Sequence, residues 1–285
     1  MRRFLLAVFC GLMVVMLGSR SRAAEEGQAV KEELARIQGT WQLVYAETDG
    51  KTAPGERIQA VRVEIKGNNH AVYFGDKQVV HDVSFTLDPT ATPRTSDDTI
   101  NDGPDKGKQI HGIYEIEGDT LASCVAKVGE DRPKNFATTP GSGHTFRVFK
   151  RVRPNEDPKE KAVRDELIRF GGTWLFAELE IGGKKVPAGD FATNRLILQG
   201  DRFLATDPNE TAAGYYKIDP TRVPKTIDLV FTSGSPKGTT VRGIYELNDD
   251  TYKQCLSVDD TPRPEKFEST PGSTYALEVL KKEKP

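Results

Sequence analysis

The chain has little of several things. Its 285 residues include only three cysteines, four histidines and two tryptophans, and no hydrophobic run of membrane-spanning length follows the first seventeen residues. No Cys-x-x-Cys and no His-x-x-x-His occurs, so the usual zinc spacings are missing. Neither a Gly-x-Gly-x-x-Gly fingerprint, a phosphate loop nor a nucleophile elbow is present. Basic residues are not in excess, since 40 Lys and Arg stand against 42 Asp and Glu. A nucleic-acid binder would carry a basic patch with interleaved aromatics, and this sequence shows none.

What is there is a duplication. Glu33-Leu34-Ala35-Arg36-Ile37-Gln38-Gly39-Thr40-Trp41 returns as Glu166-Leu167-Ile168-Arg169-Phe170-Gly171-Gly172-Thr173-Trp174, an offset of 174 − 41 = 133. Gly112-Ile113-Tyr114-Glu115 returns as Gly243-Ile244-Tyr245-Glu246, and Arg132-Pro133 with Phe136 as Arg263-Pro264 with Phe267, at an offset of 131. A repeat this long is a whole domain with its own core, not one rung of a solenoid.

The N-terminus reads as a secretory signal. Arg2 and Arg3 precede an apolar run from Phe4 to Leu17, and Ser21-Arg22-Ala23 forms a small-x-small cleavage pattern. Fourteen apolar residues are short for a bilayer span, which predicts export to the periplasm or beyond. Cleavage after residue 23 would remove four arginines and leave 36 basic against 42 acidic side chains, a balance of −6. The expected organisation is then a signal peptide (1–23), a first domain (24–151), a linker (152–156) and a second domain (157–285). Cys124 and Cys255 are repeat equivalents, one per domain. They read as buried strand thiols, with an interdomain bridge as the alternative.

Within the second copy, Asp157-Pro158 gives an N-cap followed by proline at the first helical position, and Val163, Leu167 and Phe170 follow on one helical face. Beyond Trp174 the period becomes two, and about eight short runs separated by turn residues extend to Leu280. Sequential antiparallel strands with short connections close most economically into an up-and-down barrel, which leaves no exposed edge. The expectation is all-β: two tandem eight-stranded barrels, each preceded by a short helix. On the strand at 241–247, Val241, Gly243, Tyr245 and Leu247 are expected inside, and Gly112 and Gly243 are expected where the wall is crowded.

Gly-Thr-Trp at the start of a first strand, after a short helix and before an eight-strand meander, resembles the lipocalin and fatty-acid-binding-protein barrels. That resemblance implies that Trp41 and Trp174 close the barrel base, often against an arginine of the last strand. Arg147 or Arg151 serves in the first copy, whereas the second has Glu278 and Lys282 at those positions. The wider ordered set, running from Gly-Thr-Trp through Asp219-Pro220, Lys237-Gly238, Gly243-Ile244-Tyr245-Glu246, Asp250-Thr251 and Cys255 to Arg263-Pro264 and Phe267, resembles an uncharacterised exported domain abundant in planctomycete bacteria. That likeness implies an exported protein carrying the domain singly or in tandem, and it carries no activity.

Candidate functional residues are few. The four histidines, His70, His81, His111 and His144, all lie in the first copy and read as scattered, solvent-facing side chains. Glu115 and Glu246 read as solvated outer positions, and Asp119 and Asp250 as turn formers. Arg132 and Arg263 stand before a proline in the loop leading to the last strand. There they could receive an anionic head group at a barrel mouth lined by Tyr114 or Tyr245 with Phe136 or Phe267, or could pin the loop to a carboxylate. Three function classes stay open: an interaction module for an unknown protein partner, a carrier of a small apolar or amphipathic ligand, and an enzyme. No cofactor, metal or catalytic residue is assigned, and the reading favoured is noncatalytic binding.

Overall fold

A computed structural model describes residues 24–258 and 261–284, together with the backbone alone at His81. The hydrophobic N-terminal run, and with it the expected signal peptide, lies outside the described residues. Helix α1 (24–37) leads into strands β1 (Gly39–Thr48) and β2 (Lys51–Thr52), a short helix α2 (Gly55–Gln59), and strands β3 (Val61–Lys66), β4 (Asn69–Phe74), β5 (Lys77–Asp88), β6 (Thr95–Ile100), β7 (Gln109–Glu117), β8 (Thr120–Val125) and β9 (Thr145–Val152). The second copy repeats this order: α3 (Pro158–Phe170), β10 (Gly172–Ile181), β11 (Lys184–Lys185), α4 (Ala188–Phe191), β12 (Arg195–Gln199), β13 (Arg202–Thr206), β14 (Thr211–Asp219), β15 (Lys225–Phe231), β16 (Thr240–Leu247), β17 (Thr251–Ser257) and β18 (Tyr275–Lys282).

In each copy the strands pair antiparallel in sequence order, and the last returns to the first, β9 on β1 and β18 on β10. The two-residue strands β2 and β11 pair only with the outer ends of β1 and β10. Each domain is therefore a closed eight-stranded up-and-down barrel. Closure satisfies every wall strand on both sides and removes the edges that an open sheet would present. No described helix is long and apolar enough to cross a membrane.

The helix before each barrel plugs its base. In α3, Asp157 caps the N-terminus by accepting from the Lys159 amide at 2.8 Å, and Pro158 occupies the first turn. Its C-terminal end delivers Phe170, whose carbonyl accepts from Trp174 Nε1 at 2.7 Å, just as Ile37 accepts from Trp41 Nε1 at 2.8 Å. Both indoles are fully buried. Of the two arginines the sequence offered for Trp41, it is Arg151 that covers the ring, 4.1 Å from the centroid, while donating to Gln38 O. The second barrel closes with a lysine instead: Lys282 Nζ lies 5.2 Å from the Trp174 centroid and donates to Arg169 O at 2.9 Å. A primary ammonium reaches one carbonyl where the guanidinium fork reaches two.

The buried glutamate of each helix ties it to the wall. Glu33 accepts from Arg94 and Arg36 at 2.8 and 2.9 Å, and Glu166 from Lys225 and Arg169 at 2.6 and 2.9 Å. Asp88 and Asp219 form the side-chain turns expected of Asp-Pro punctuation, each accepting from the threonine two residues on.

Val152, expected in the linker, is the last residue of β9 and pairs with Thr40. The barrels touch along one flank. The turn Gly200-Asp201 of the second barrel lies on Val44 and Val148 of the first, where Gly200 has φ +68° and a Cβ would stand 2.6 Å from Val148 Cγ1. Around that turn Asp201 accepts from Lys150 and Thr120 at 2.5 and 2.8 Å, and Arg202 donates to Glu115 at 3.0 Å. Glu115 is thus half of an interdomain ion pair, where the sequence indicated a solvated position.

Trp41→Ala and Trp174→Ala are each expected to destabilise their own barrel by roughly 3–5 kcal/mol, as for other large aromatic deletions from a packed core. Denaturant unfolding of both variants checks this, and an unchanged transition in either would show that its indole is not the closure.

Candidate functional site

Two features recur in both copies, and one does not. The first recurring feature is a latch on the outer wall. Arg132, from the β8–β9 loop, donates to Ser96 O and Gly112 O at 2.7 and 2.6 Å and to Asp97 at 2.6 Å. Arg263 makes the same three bonds to Ile227 O, Gly243 O and Asp228, at 2.8, 2.6 and 2.6 Å. Asp97 lies between Ser96 and Asp98, which line the lumen, so it points outward. The loop therefore folds down the outside of the barrel, not across its mouth. Beneath it Ile113 and Cys124 in the first copy, and Ile244 and Cys255 in the second, are almost completely buried on the outer face. Both cysteines are free, and burial pushes the Cys124 thiol up to about 11. Phe136 and Phe267 also stay outside the lumen: Phe136 packs edge-on to outward-facing Phe146 at 6.2 Å, and Phe267 lies under the Lys253 ammonium at 5.0 Å.

The second recurring feature is the glycine in the crowded wall. At Gly243 a Cβ would meet Leu256 Cδ2 at 2.5 Å and Cys255 O at 2.6 Å. At Gly112 the nearest atoms are Ser96 Oγ and Val125 Cγ1, both at 3.0 Å. The glycines let adjacent strands approach while their carbonyls receive the latching guanidinium.

The feature that does not recur is the filling of the lumen. Register fixes the equivalences. His70 pairs with Ile65 as Phe203 pairs with Leu198, Asp98 with Phe85 as Leu229 with Tyr216, Leu121 with Phe149 as Tyr252 with Leu280, and Arg147 with Ser123 as Glu278 with Gln254. In the second barrel Phe170 sits at the centre of an aromatic plug, its centroid 5.8, 5.2 and 4.9 Å from Tyr216, Tyr245 and Tyr252. Tyr245 belongs to that plug and donates to Glu166 at 3.2 Å. The first barrel has Ile37, Phe85, Tyr114 and Leu121 in those places, and the space released is a cavity of about 80 Å³.

That cavity is apolar over most of its wall, through Val63, Ile65, Phe85, Leu87 and Phe149. Into it project Asp98 from β6, Arg147 from β9 and His70 from β4. The surface these groups retain faces the lumen, and their protonation behaves as that of buried groups. Burial pushes the Asp98 carboxyl up to about 6, with the Arg147 charge opposing. Burial, with the Arg147 charge adding, pushes His70 down to about 4. Arg147 is lowered by burial and held up by Asp98. The Arg147–Asp98 attraction acts through space, without a hydrogen bond, and Arg147 Nε has no partner among the described residues. Two opposite charges held in an apolar lumen without direct pairing are costly, on the order of several kcal/mol per ion even after relaxation.

Sequence reasoning placed Tyr114 and Tyr245 inside, missed His70 and Asp98, and considered Arg147 only as a tryptophan cover. A signal for them existed in the repeat, because each stands where the other copy has Phe203, Leu229 or Glu278. Of the other histidines, His111 makes a 2.6 Å contact through Nδ1 with Asp97 on the outer wall, beside the latch.

No family model and no curated protein matches the chain. Among solved structures, a protein of unknown function of the DUF3598 family from Nostoc punctiforme PCC 73102 aligns over 88% of this chain and 97% of its own, at 8% identity and a TM-score of 0.24.

Charge burial in the filled barrel gives a pH test. Burial pushes the Glu278 carboxyl from its ordinary 4.5 up to about 7, against a hydrogen bond from Gln254 at 2.6 Å. A carboxyl whose folded pKa is raised contributes stability below 4.5 that is lost as pH rises through about 7. Glu278→Gln is therefore expected to match the parent at pH ~4.5 and to exceed it at pH ~8 by on the order of 3 kcal/mol. Urea denaturation at the two pH values reads the difference directly.

Proposed function

We propose that this chain is an exported, noncatalytic binding protein whose first barrel takes one small molecule into its lumen, while the second is a filled barrel docked on its flank. The observation that carries this reading is the divergence of two lumens inside one shared wall. Base plug, outer latch and crowded glycine are kept in both copies, as stability requires. At the same time three lumen positions of the first barrel carry polar or charged groups where the second has an aromatic, an aliphatic and a hydrogen-bonded carboxyl. A domain kept only for packing gains nothing from placing Asp98 and Arg147 in an apolar interior, and such unpaired charge marks a functional site more often than a structural one. The N-terminal Arg2-Arg3 pair and the apolar run after it support export.

A protein-partner reading has one observation behind it. The flank of the first barrel that receives the second has a counterpart on the second barrel. There Val186, Phe191, Leu277 and Val279 line a crevice of about 190 Å³. A partner segment laid on that crevice would mimic the interdomain contact.

Native mass spectrometry of the protein from its exporting host is expected to show a releasable small molecule at one copy per chain, not two, because the second lumen is plugged by Phe170, Tyr216, Tyr245 and Tyr252. Filling that lumen with the second copy's residues, by His70→Phe with Leu121→Tyr, is expected to abolish the adduct without lowering the melting temperature. Two copies per chain, or an adduct that survives the filled variant, would place the ligand elsewhere.

A further inference from the structure

We infer that the ligand of the first lumen is a small zwitterion, a free α-amino acid of glycine-to-alanine size, with its carboxylate on Arg147 and its ammonium on Asp98. This rests on the reading of that lumen as the ligand site and names what it takes. Size comes first. A cavity of about 80 Å³ is about half the ~150 Å³ of an apolar cavity that takes up benzene, so it suits a molecule of no more than about five or six heavy atoms and is too small to enclose a long acyl chain or a sterol.

Charge decides among molecules of that size. A simple anion on Arg147 would lie in the same lumen as the Asp98 carboxylate, and a simple cation on Asp98 would face the Arg147 guanidinium. An apolar guest would leave both charges without partners. A zwitterion meets each with its opposite and adds no net charge to the lumen, which is the condition under which buried ions are tolerated. The carboxylate has a partner in Arg147, whose side chain lines the lumen and whose buried Nε has no hydrogen-bond partner among the described residues; a guanidinium is the cation whose planar donor fork carboxylates fit. Ser123, the cross-strand partner of Arg147, places a hydroxyl on the same wall.

The state of Asp98 fits this assignment at neutral pH, since a carboxyl raised to about 6 is mostly ionised at 7. The groups that act on it are Arg147 in the lumen and Asp97 beside it on β6, and His70 is the titratable imidazole on the lumen wall. His70, pushed down to about 4, is neutral there and does not compete for the carboxylate. Amino-acid affinity should therefore fall as pH drops through about 6 and Asp98 takes up its proton.

The test is an NMR titration of the full chain at pH ~7.5 with glycine, alanine, propionate, ethylamine and 2-propanol, read at resonances of lumen residues such as His70 and Ser123. Glycine or alanine is expected to saturate at one per chain, with propionate and ethylamine at least tenfold weaker. Asp98→Asn, of nearly unchanged shape, should weaken the amino acid at least tenfold, and Asp98→Leu, which installs the second barrel's residue, should do the same in a background the fold already accommodates. Propionate or 2-propanol binding as tightly as alanine, or an unchanged affinity in Asp98→Asn, would overturn the zwitterion and leave the lumen as the site. Silence of every lumen resonance with all five probes would overturn the lumen reading and the zwitterion together.

Discussion

Everything in this structure depends on the return of a last strand to a first one. The pairing of Trp41 with Arg151 in one copy and Trp174 with Lys282 in the other closes each wall, and the preceding helix seals the base under the same indole. Closure fixes the strand count, and the strand count fixes the lumen. Once the wall is set, the sum of inward side-chain volumes decides whether a barrel is solid or hollow. Eight strands enclose a space that side chains can just fill, so modest exchanges have large consequences. Ile37 for Phe170, Phe85 for Tyr216 and Leu121 for Tyr252 separate the cavity from the plug.

The outer latch explains why the interior was free to diverge. Arg132 and Arg263 hold their loops to two adjacent strands through carbonyls and an outward aspartate, with no contribution from the lumen. The apolar patch beneath each loop is in effect a second, thin core outside the barrel, containing the buried cysteine. Stability drawn from closure and from this strap does not rest on complete lumen packing. Such a wall can tolerate a buried guanidinium and carboxyl that a domain of this size could otherwise ill accommodate.

The two domains meet head to tail, the flank of one against the base and a turn of the other, so each leaves one partner surface unused. Those unused surfaces have been altered. At the positions of Val44 and Tyr45 the second barrel has Ala177 and Glu178, both exposed, and at the positions of Asp201 and Arg202 the first has Asn68 and Asn69. The charged groups that bind the interdomain contact are thus absent from the free end of the first barrel. An array built on this interface is not propagated by the same ion pairs, as with the polar terminal faces of repeat proteins.

The repeat, its two offsets, the switch from a helical to a two-residue period and the Gly-Thr-Trp start were enough to read two closed barrels of eight strands, each behind a short helix. These are local or self-referential patterns, visible because the chain carries its own comparison. The inward position of Tyr114 and Tyr245 was equally legible, since alternation along a strand is a local rule. The direction of the Arg132 and Arg263 loops was not, because a loop's course depends on what it finds to bond, and Asp97 and Asp228 are about 35 residues away along the chain. Nor did the sequence reveal that Arg147, between outward Phe146 and Val148, points inward: two apolar neighbours suggest the opposite facing until the outer wall is known to be covered by a loop and a second domain. Sequence by itself determined the architecture, because strand period and turn chemistry are short-range. Tertiary structure alone decided that one lumen is filled and the other carries an unpaired acid and base, because filling is a sum over eight strands that no single segment contains.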